Sequence, residues 1–440
     1  MSSRPRTLSR GLAAAFLDGP WNVNGLVKRG VDALGQRARG LLRLVRAITQ
    51  RFPEPPIGQL ETLAGFISDV STLRGVQIRH WQFPEPAMVA PLPALAQLSI
   101  PTLTCLGDLA TWLEINSAQV AWLADEHRYQ RRASSPRLHH YHYTWIPKRA
   151  GAYRLLEAPK AGLKSIQRRI LHEIIDKIPA HDAAHGFRRG RSVLTFAAAH
   201  ADRDVVLRLD LADFFAIITE ARVRAIFHSL GYPSDVARPL AALCCTPTPI
   251  SVLSARPAAR SKEEIAERST QRQRLAASHL PQGAPSSPAL ANLAAFRLDQ
   301  RLCALATARH AQYTRYADDL AFSAGKHLAK HATDFIANVA AIAADEGFNV
   351  RFRKTRVMQR AVRQQLGGIV VNVRPNLARA DLDLLEAILF NCVRYGAASQ
   401  NRASHPDFRA HLTGRLAWAE HTGPLGRAAR LRRLFERIEW

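Results

Sequence analysis

YTRYADDLAF, residues 313–322, sets two aspartates, Asp318 and Asp319, side by side in an apolar and aromatic run. Successive side chains on a strand point to opposite faces, so one of the pair should face an interior. A buried carboxylate without a partner is costly, and the run therefore predicts something for it to hold. A second run, VVLRLDLADFF at 205–215, reads as a buried strand that stops in Asp210 and Asp213. If the two strands are neighbours, Asp210 and Asp318 converge. Converging carboxylates repel unless a cation sits among them. A few hard oxygen ligands, with room left for water and phosphate, suit Mg²⁺. Two such ions, about 3.5–4 Å apart, activate a hydroxyl and stabilise a leaving pyrophosphate. The competing reading makes Asp318-Asp319 a hairpin turn and Asp210 a helix cap. The apolar flanks on both runs weigh against it.

Charge points the same way. Across 440 residues there are 61 Lys and Arg against 36 Asp and Glu, a formal net charge of +25. Residues 1–50 alone carry nine basic and two acidic side chains. A polyanionic partner follows, with nucleic acid ahead of a membrane surface. No run of about 18 uncharged apolar residues is present, so no membrane partner or span is expected. The N-terminus lacks the apolar core of a secretory signal. Cys105, Cys244, Cys245, Cys303 and Cys392 are odd in number, scattered and without a CxxC pair. They argue for a reducing, cytoplasmic setting and against a disulfide frame or zinc site.

Working outward, LGQRARGLLRLVRAITQRF (34–52) has helical periodicity with a basic face, and FPEPP (52–56) ends it. Residues 106–132 read as two short helices meeting near Asn116-Ser117, and HHYHYTWIPK with AYRLLEAPK as a strand hairpin. Residues 163–178 form an amphipathic helix. The polar insertion 256–278 is an exposed helix or a disordered loop. YTRYADDLAF, NVRFRKTRVMQR and RQQLGGIVVN are strands, and the chain from about 380 is helical.

The order of these segments resembles the bacterial reverse transcriptases, and among them the retron type. YADD at 316–319, DLADFF at 210–215 and LPQGAPSSPALANL at 280–293 match the family's motifs. AHGFRRGRS at 184–192, FRKTR at 352–356 and GGIVVN at 367–372 follow in order, and the likeness covers roughly residues 105–440. The resemblance implies an α+β, right-hand polymerase fold with fingers, palm and thumb, and a mainly helical N-terminal extension. It places the extension at 1–104, fingers and palm at 105–375 and a duplex-binding thumb at 376–440.

The resemblance also implies RNA-directed DNA synthesis with two Mg²⁺ ions, Mn²⁺ being a substitute. Asp210, Asp318 and Asp319 match the catalytic acids, and Leu211 would add its carbonyl to the metal ligands. Lys148 and Arg154 match the triphosphate-gripping pair. Asp213, Phe215, Gln282, Gly283 and Lys354 complete the dNTP site: Phe215 as the ring under the sugar that excludes a 2′-hydroxyl, Lys354 as a candidate acid for pyrophosphate. Tyr316 and the turn Leu366-Gly367-Gly368 match the primer grip. The implied partners are a cognate structured noncoding RNA, its DNA product, dNTPs and a separate effector in anti-phage defence. Template-independent synthesis of the abortive-infection kind and a catalytically idle RNA-binding scaffold remain the other readings.

Two boxes depart from the retron pattern. FAAAH puts Phe196 where the family has Asn, keeping Ala197 and His200, and Leu366-Gly367-Gly368 stands for Val-Thr-Gly. In the family both boxes go with recognition of the enzyme's own RNA. His139, His140 and His142 cluster in HHYHY without a third ligand on one strand face, which favours packing or stacking over metal. Arg427, Arg430, Arg432 and Arg433 of the C-terminal helix are candidates for RNA contact.

Overall fold

The computed structural model describes residues 4–440 except 57–58, 71–72, 74–75, 81–86, 126, 134, 148–152 and 258–261. Lys148 lies outside the described residues. The chain divides into two compact units, one running to Ile178 and taking in Ile218–Ser287, the other comprising Pro179–Ile217 and Pro288–Trp440.

The first unit opens with four helices, α1 (Arg4–Leu17), α2 (Val23–Leu34), α3 (Leu41–Arg51) and α4 (Leu60–Val70). Their apolar stripes close on one core that includes Leu12, Phe16, Leu26, Leu34, Leu44, Ile48, Leu63 and Ile67. Arg29 is buried among them because its guanidinium donates to the carbonyls of Ala15 and Phe16 at the end of α1 and of Pro20 in the following turn. The helix break at Phe52 falls where the Pro-rich stretch put it.

Helices Leu106–Trp112 and Ser117–Ala124 follow, the second started by a capping box between Asn116 and Gln119. Strands β1 (Tyr141–Pro147) and β2 (Tyr153–Pro159) form the expected antiparallel hairpin. Its buried base is polar. The Glu157 carboxylate accepts from Thr248 at 2.8 Å and lies 2.9 Å from His279 Nε2. The insertion resolves as a helix, Lys262–Ala276.

The second unit is built on an antiparallel sheet in the order β4-β5-β3-β6, with β3 Val205–Asp210, β4 Gln312–Tyr316, β5 Asp319–Ala324 and β6 Arg356–Gln359. YTRYADDLAF is therefore two strands, not one. Tyr316 pairs with Asp319 across a turn of Ala317 and Asp318. The chain reverses because Ala317 takes a left-handed φ of +54°, a conformation a small side chain tolerates better than a bulky one.

A second small sheet, β7 (Gln365–Leu366), β8 (Ile369–Val370) and β9 (Asn376–Leu377), follows. Gly367 and Gly368 have φ of +55° and +89° and make the two-residue β7–β8 turn, the geometry that favours paired glycines. Three helices, Arg379–Tyr395, Phe408–Thr422 and Leu425–Glu436, then pack around Leu382, Leu389, Leu412, Leu416 and Leu431. The content of both units is α+β. Among the described residues no helix is long and apolar enough to cross a membrane.

Candidate active site

The register of the central sheet brings the acids together. β3 and β5 run antiparallel with Asp210 opposite Asp319, and the backbone N–H of Leu211 donates to the Asp318 carbonyl at 2.8 Å. That bond ties the end of one acidic strand to the turn of the other. Asp318, at the tip, is half-buried. Burial first, then the charges of Asp210 and Asp319, raise its pKa above the usual carboxylate value.

Cations surround this cluster. Lys354 Nζ lies 2.9 Å from Asp210 Oδ2, and Arg351 Nη1 lies 3.4 Å from Asp210 Oδ1. Arg351 Nη2 reaches to 3.6 Å from Asp213. Arg208, on β3, forks onto both carboxylate oxygens of Asp319 at 2.8–3.0 Å. The pKa of Asp319 is raised by burial and pulled back by Arg208. The three acids thus differ: Arg208 clamps Asp319, Lys354 and Arg351 lie on Asp210, and Asp318 feels the charges of both other acids. Among the described residues no group of three acidic, His or Cys side chains is close enough to hold an ion.

A divalent ion fits the Asp210–Asp318 pair by two tests. Asp210 Oδ1 is buried and accepts no hydrogen bond. Burial and the two neighbouring carboxylates raise the pKa of Asp318, and a nearby positive charge would offset that. Asp210, Asp318 and the Leu211 carbonyl are the groups that would hold such an ion.

Aromatic rings line the approach. Phe214 is the core residue, stacked on Phe348 at 5.8 Å between centroids. Phe215 is half-exposed and lies 6.0 Å from Phe187, which in turn lies 6.4 Å from Tyr316. Phe187 is 47% exposed at a φ of +59° and escaped the reading of the sequence. The only signal in the sequence is an aromatic residue set between Gly186 and three nearby arginines in AHGFRRGRS. Arg208 and Arg351 were missed too, since nothing in their spacing marks them as partners of the acids.

Beneath the turn lies a buried polar network. Arg315 and Asp299 are both fully buried and pair through Nε–Oδ1 at 2.8 Å and Nη2–Oδ2 at 2.6 Å. Tyr313 donates to the same Asp299 oxygen at 2.8 Å. Arg315 Nη1 donates to the Asn292 side chain and to the carbonyl of Ala317, at 3.0 and 3.1 Å. Asn292 donates to the Gly186 carbonyl at 2.9 Å. One guanidinium thus anchors the residue that precedes Asp318.

The remaining candidates fall in different places. Leu366 is fully buried in a core with Phe196, and a Cβ on Gly367 would sit 2.2 Å from Val193 Cγ2. In the first unit, Arg154 is exposed on β2, and the Gln282 carbonyl accepts from Glu157 N–H at 2.8 Å. Gly283, at φ +131°, lies so close to β2 that a Cβ would meet Leu156 Cδ1 at 2.9 Å. Its smallness serves that packing.

Phe196 and His200 are fully buried. His200 bridges Ser323 and Thr314 at 2.7 and 2.8 Å, so this box presents neither side chain to RNA. On the C-terminal helix three of the four candidate arginines carry surface ion pairs. Arg427 pairs with Asp383 and Glu386, Arg430 lies 2.7 Å from Glu386, and Arg432 forks onto Glu420. Arg433 remains exposed. His139 and His140 are buried and bonded to the carbonyls of Ala133 and Trp122, which is packing.

The family described as reverse transcriptase (RNA-dependent DNA polymerase) matches residues 146–370. The chain is similar to the retron Mx65 reverse transcriptase of Myxococcus xanthus, 40% identical over 295 residues, 66% of this chain and 62% of that one. It is 36% identical over 272 residues to the retron Mx162 reverse transcriptase of the same organism, covering 60% and 52%. To the retron Ec86 reverse transcriptase of Escherichia coli it is 32% identical over 221 residues, covering 50% and 58%. The chain thus spans between half and two-thirds of these relatives' lengths.

Proposed function

The chain belongs to the reverse transcriptase (RNA-dependent DNA polymerase) family, and from that premise we propose that it is a retron-type enzyme that copies part of a structured noncoding RNA into DNA. The observation that carries the proposal is the convergence of Asp210 and Asp318 at the end of one sheet, tied by the Leu211–Asp318 bond. In this reading the central sheet is the palm, the β1–β2 hairpin belongs to the fingers, and the three C-terminal helices form the thumb.

Mg²⁺ bound by Asp210, Asp318 and the Leu211 carbonyl would supply charge neutralisation to the attacking hydroxyl and the leaving pyrophosphate. The protein's own groups do the rest. Arg208 holds Asp319, which would then act on a bound ion through its charge and be the less direct ligand of the three acids. Lys354, half-exposed and 2.9 Å from Asp210, is placed to swing to an incoming phosphate and give its proton to pyrophosphate. Phe215 presents a ring edge to the sugar and rejects a 2′-hydroxyl by steric clash. Tyr316 packs beneath the primer end, beside the Leu366–Gly368 turn. Lys148, Arg154, Gln282 and Gly283 act on the triphosphate and the nascent base pair.

The finer reading is that the product DNA stays joined to its RNA, and that the pair works with a separate effector against phage. The basic test is Mg²⁺-dependent dNTP incorporation on a primed RNA template, with wild type beside Asp318→Asn. Wild type should incorporate and the variant should lose about 10³-fold, equivalent to roughly 4 kcal/mol of barrier. A wild type that stays silent even with its co-expressed flanking RNA would overturn the proposal.

A further inference from the structure

The four-helix bundle α1–α4 lies outside the matched family region and has a core of its own, drawn from residues 8–78. Residues 35–51, the turn into α3 and α3 itself, contain five arginines and no acid. Arg39, Arg43 and Arg46 are exposed, and none is ion-paired among the described residues. Arg39 lies in the turn before the Gly40 N-cap, and Arg43 and Arg46, three apart on α3, are neighbours about 5–6 Å apart. That step is close to the step between phosphates along a nucleic-acid strand. Leu42, 47% exposed, sits beside these arginines.

We infer that Arg39, Arg43 and Arg46 form a second nucleic-acid contact, gripping the phosphate backbone of a duplex without reading its sequence. A membrane surface is the poorer occupant. A basic amphipathic helix binds lipid by sinking its apolar face, and here Leu41, Leu44, Val45 and Ile48 are buried in the bundle. The inference rests on the polymerase reading only for the source of the duplex, RNA or its DNA copy.

The test uses the full chain with Arg39→Glu/Arg43→Glu/Arg46→Glu, and separate binding to a 30-base-pair RNA hairpin, the matching DNA duplex and the RNA–DNA hybrid across KCl concentrations. Loss of three phosphate contacts lowers the slope of log affinity against log salt by about 2–3 and weakens binding at least about tenfold at 0.1 M. The duplex that loses most is the source. Arg→Lys at all three positions keeps both quantities. If the Glu variant misfolds, by loss of exchange protection over residues 12–67, Arg→Gln at the same positions is read instead, with a smaller drop of the same sign.

Unchanged affinity and slope for all three duplexes overturn the inference. So does a variant that loses binding to phosphatidylserine vesicles but not to the duplexes. Extension of a short primed template is measured in parallel. A silent wild type whose duplex binding still depends on the arginines defeats the polymerase reading and leaves this one standing. Active enzyme with unchanged binding does the reverse.

Discussion

Acid should destabilise the central sheet through one residue, His200. Its ring is fully buried and bridges the hydroxyls of Ser323 on β5 and Thr314 on β4. Burial, aided by the nearby charges of His185 and Arg203, lowers its pKa from 6.5 to about 3. The unfolded chain therefore takes a proton at this position below pH 6.5 that the folded chain refuses. Stability is full above that value and falls as pH drops, until the folded group titrates near 3. From pH 7.5 to 5.0 the loss is about 2 kcal/mol from this group alone. His185, lowered to about 4 by burial and by Arg191 and Arg188, adds to the slope but is present in both proteins compared. The assay is hydrogen exchange read on peptides covering β3 and β5, for wild type and His200→Asn. At pH 7.5 the variant should be weaker by about 1–3 kcal/mol, the cost of unsatisfied buried hydroxyls. Its further loss on going to pH 5.0 should be smaller than wild type's by about 2 kcal/mol. Parallel losses in the two proteins would refute the reasoning, because His200 would then be titrating freely in the folded state.

Three other outcomes follow from the site. Asp299→Asn leaves Arg315 charged and buried, and should cost about 3–5 kcal/mol in urea unfolding; a near-neutral result would mean the pair is hydrated. Lys354→Ala should change stability by less than about 1 kcal/mol, since the side chain is half-exposed, while steady-state incorporation falls about 10²-fold. Equal activity in that variant would remove Lys354 from the chemistry. Phe215→Ala should lower the preference for dNTP over rNTP by about 10²-fold, measured as the ratio of kcat/KM values. An unchanged ratio would return the ring to a packing role.

What could be read from the residues alone was the chemistry that is local in sequence. Asp210 and Asp318 announce themselves as acids set in apolar runs, whereas RQQLGGIVVN, which reads as one strand, is a hairpin turning at Gly367-Gly368. The β1–β2 hairpin and the break between two helices near Asn116 were legible for the same reason. What stayed hidden depends on distant partners. Nothing near Arg427 or Arg430 shows that Asp383 and Glu386, some forty residues earlier, already neutralise them. Nothing near His200 shows that two hydroxyls over a hundred residues away bury it. The YADD turn was taken for continuous strand because periodicity of two does not register a reversal when the turn residues, Ala317 and Asp318, lack glycine or proline.

The Arg315–Asp299 pair has a consequence for how this molecule can change over generations. Each residue alone is a burden without the other, so any lineage leaving this arrangement must cross a step in which one buried charge stands by itself. Substitutions at the two positions should therefore be coupled, with the double change far milder than the sum of the singles. Tyr313 and Asn292, bonded to the same two groups, would be drawn into that coupling. The same constraint applies to grafting: the hairpin bearing Asp318 and Asp319 cannot be moved to another scaffold without the helix Phe296–Ala308 that supplies its counter-charge.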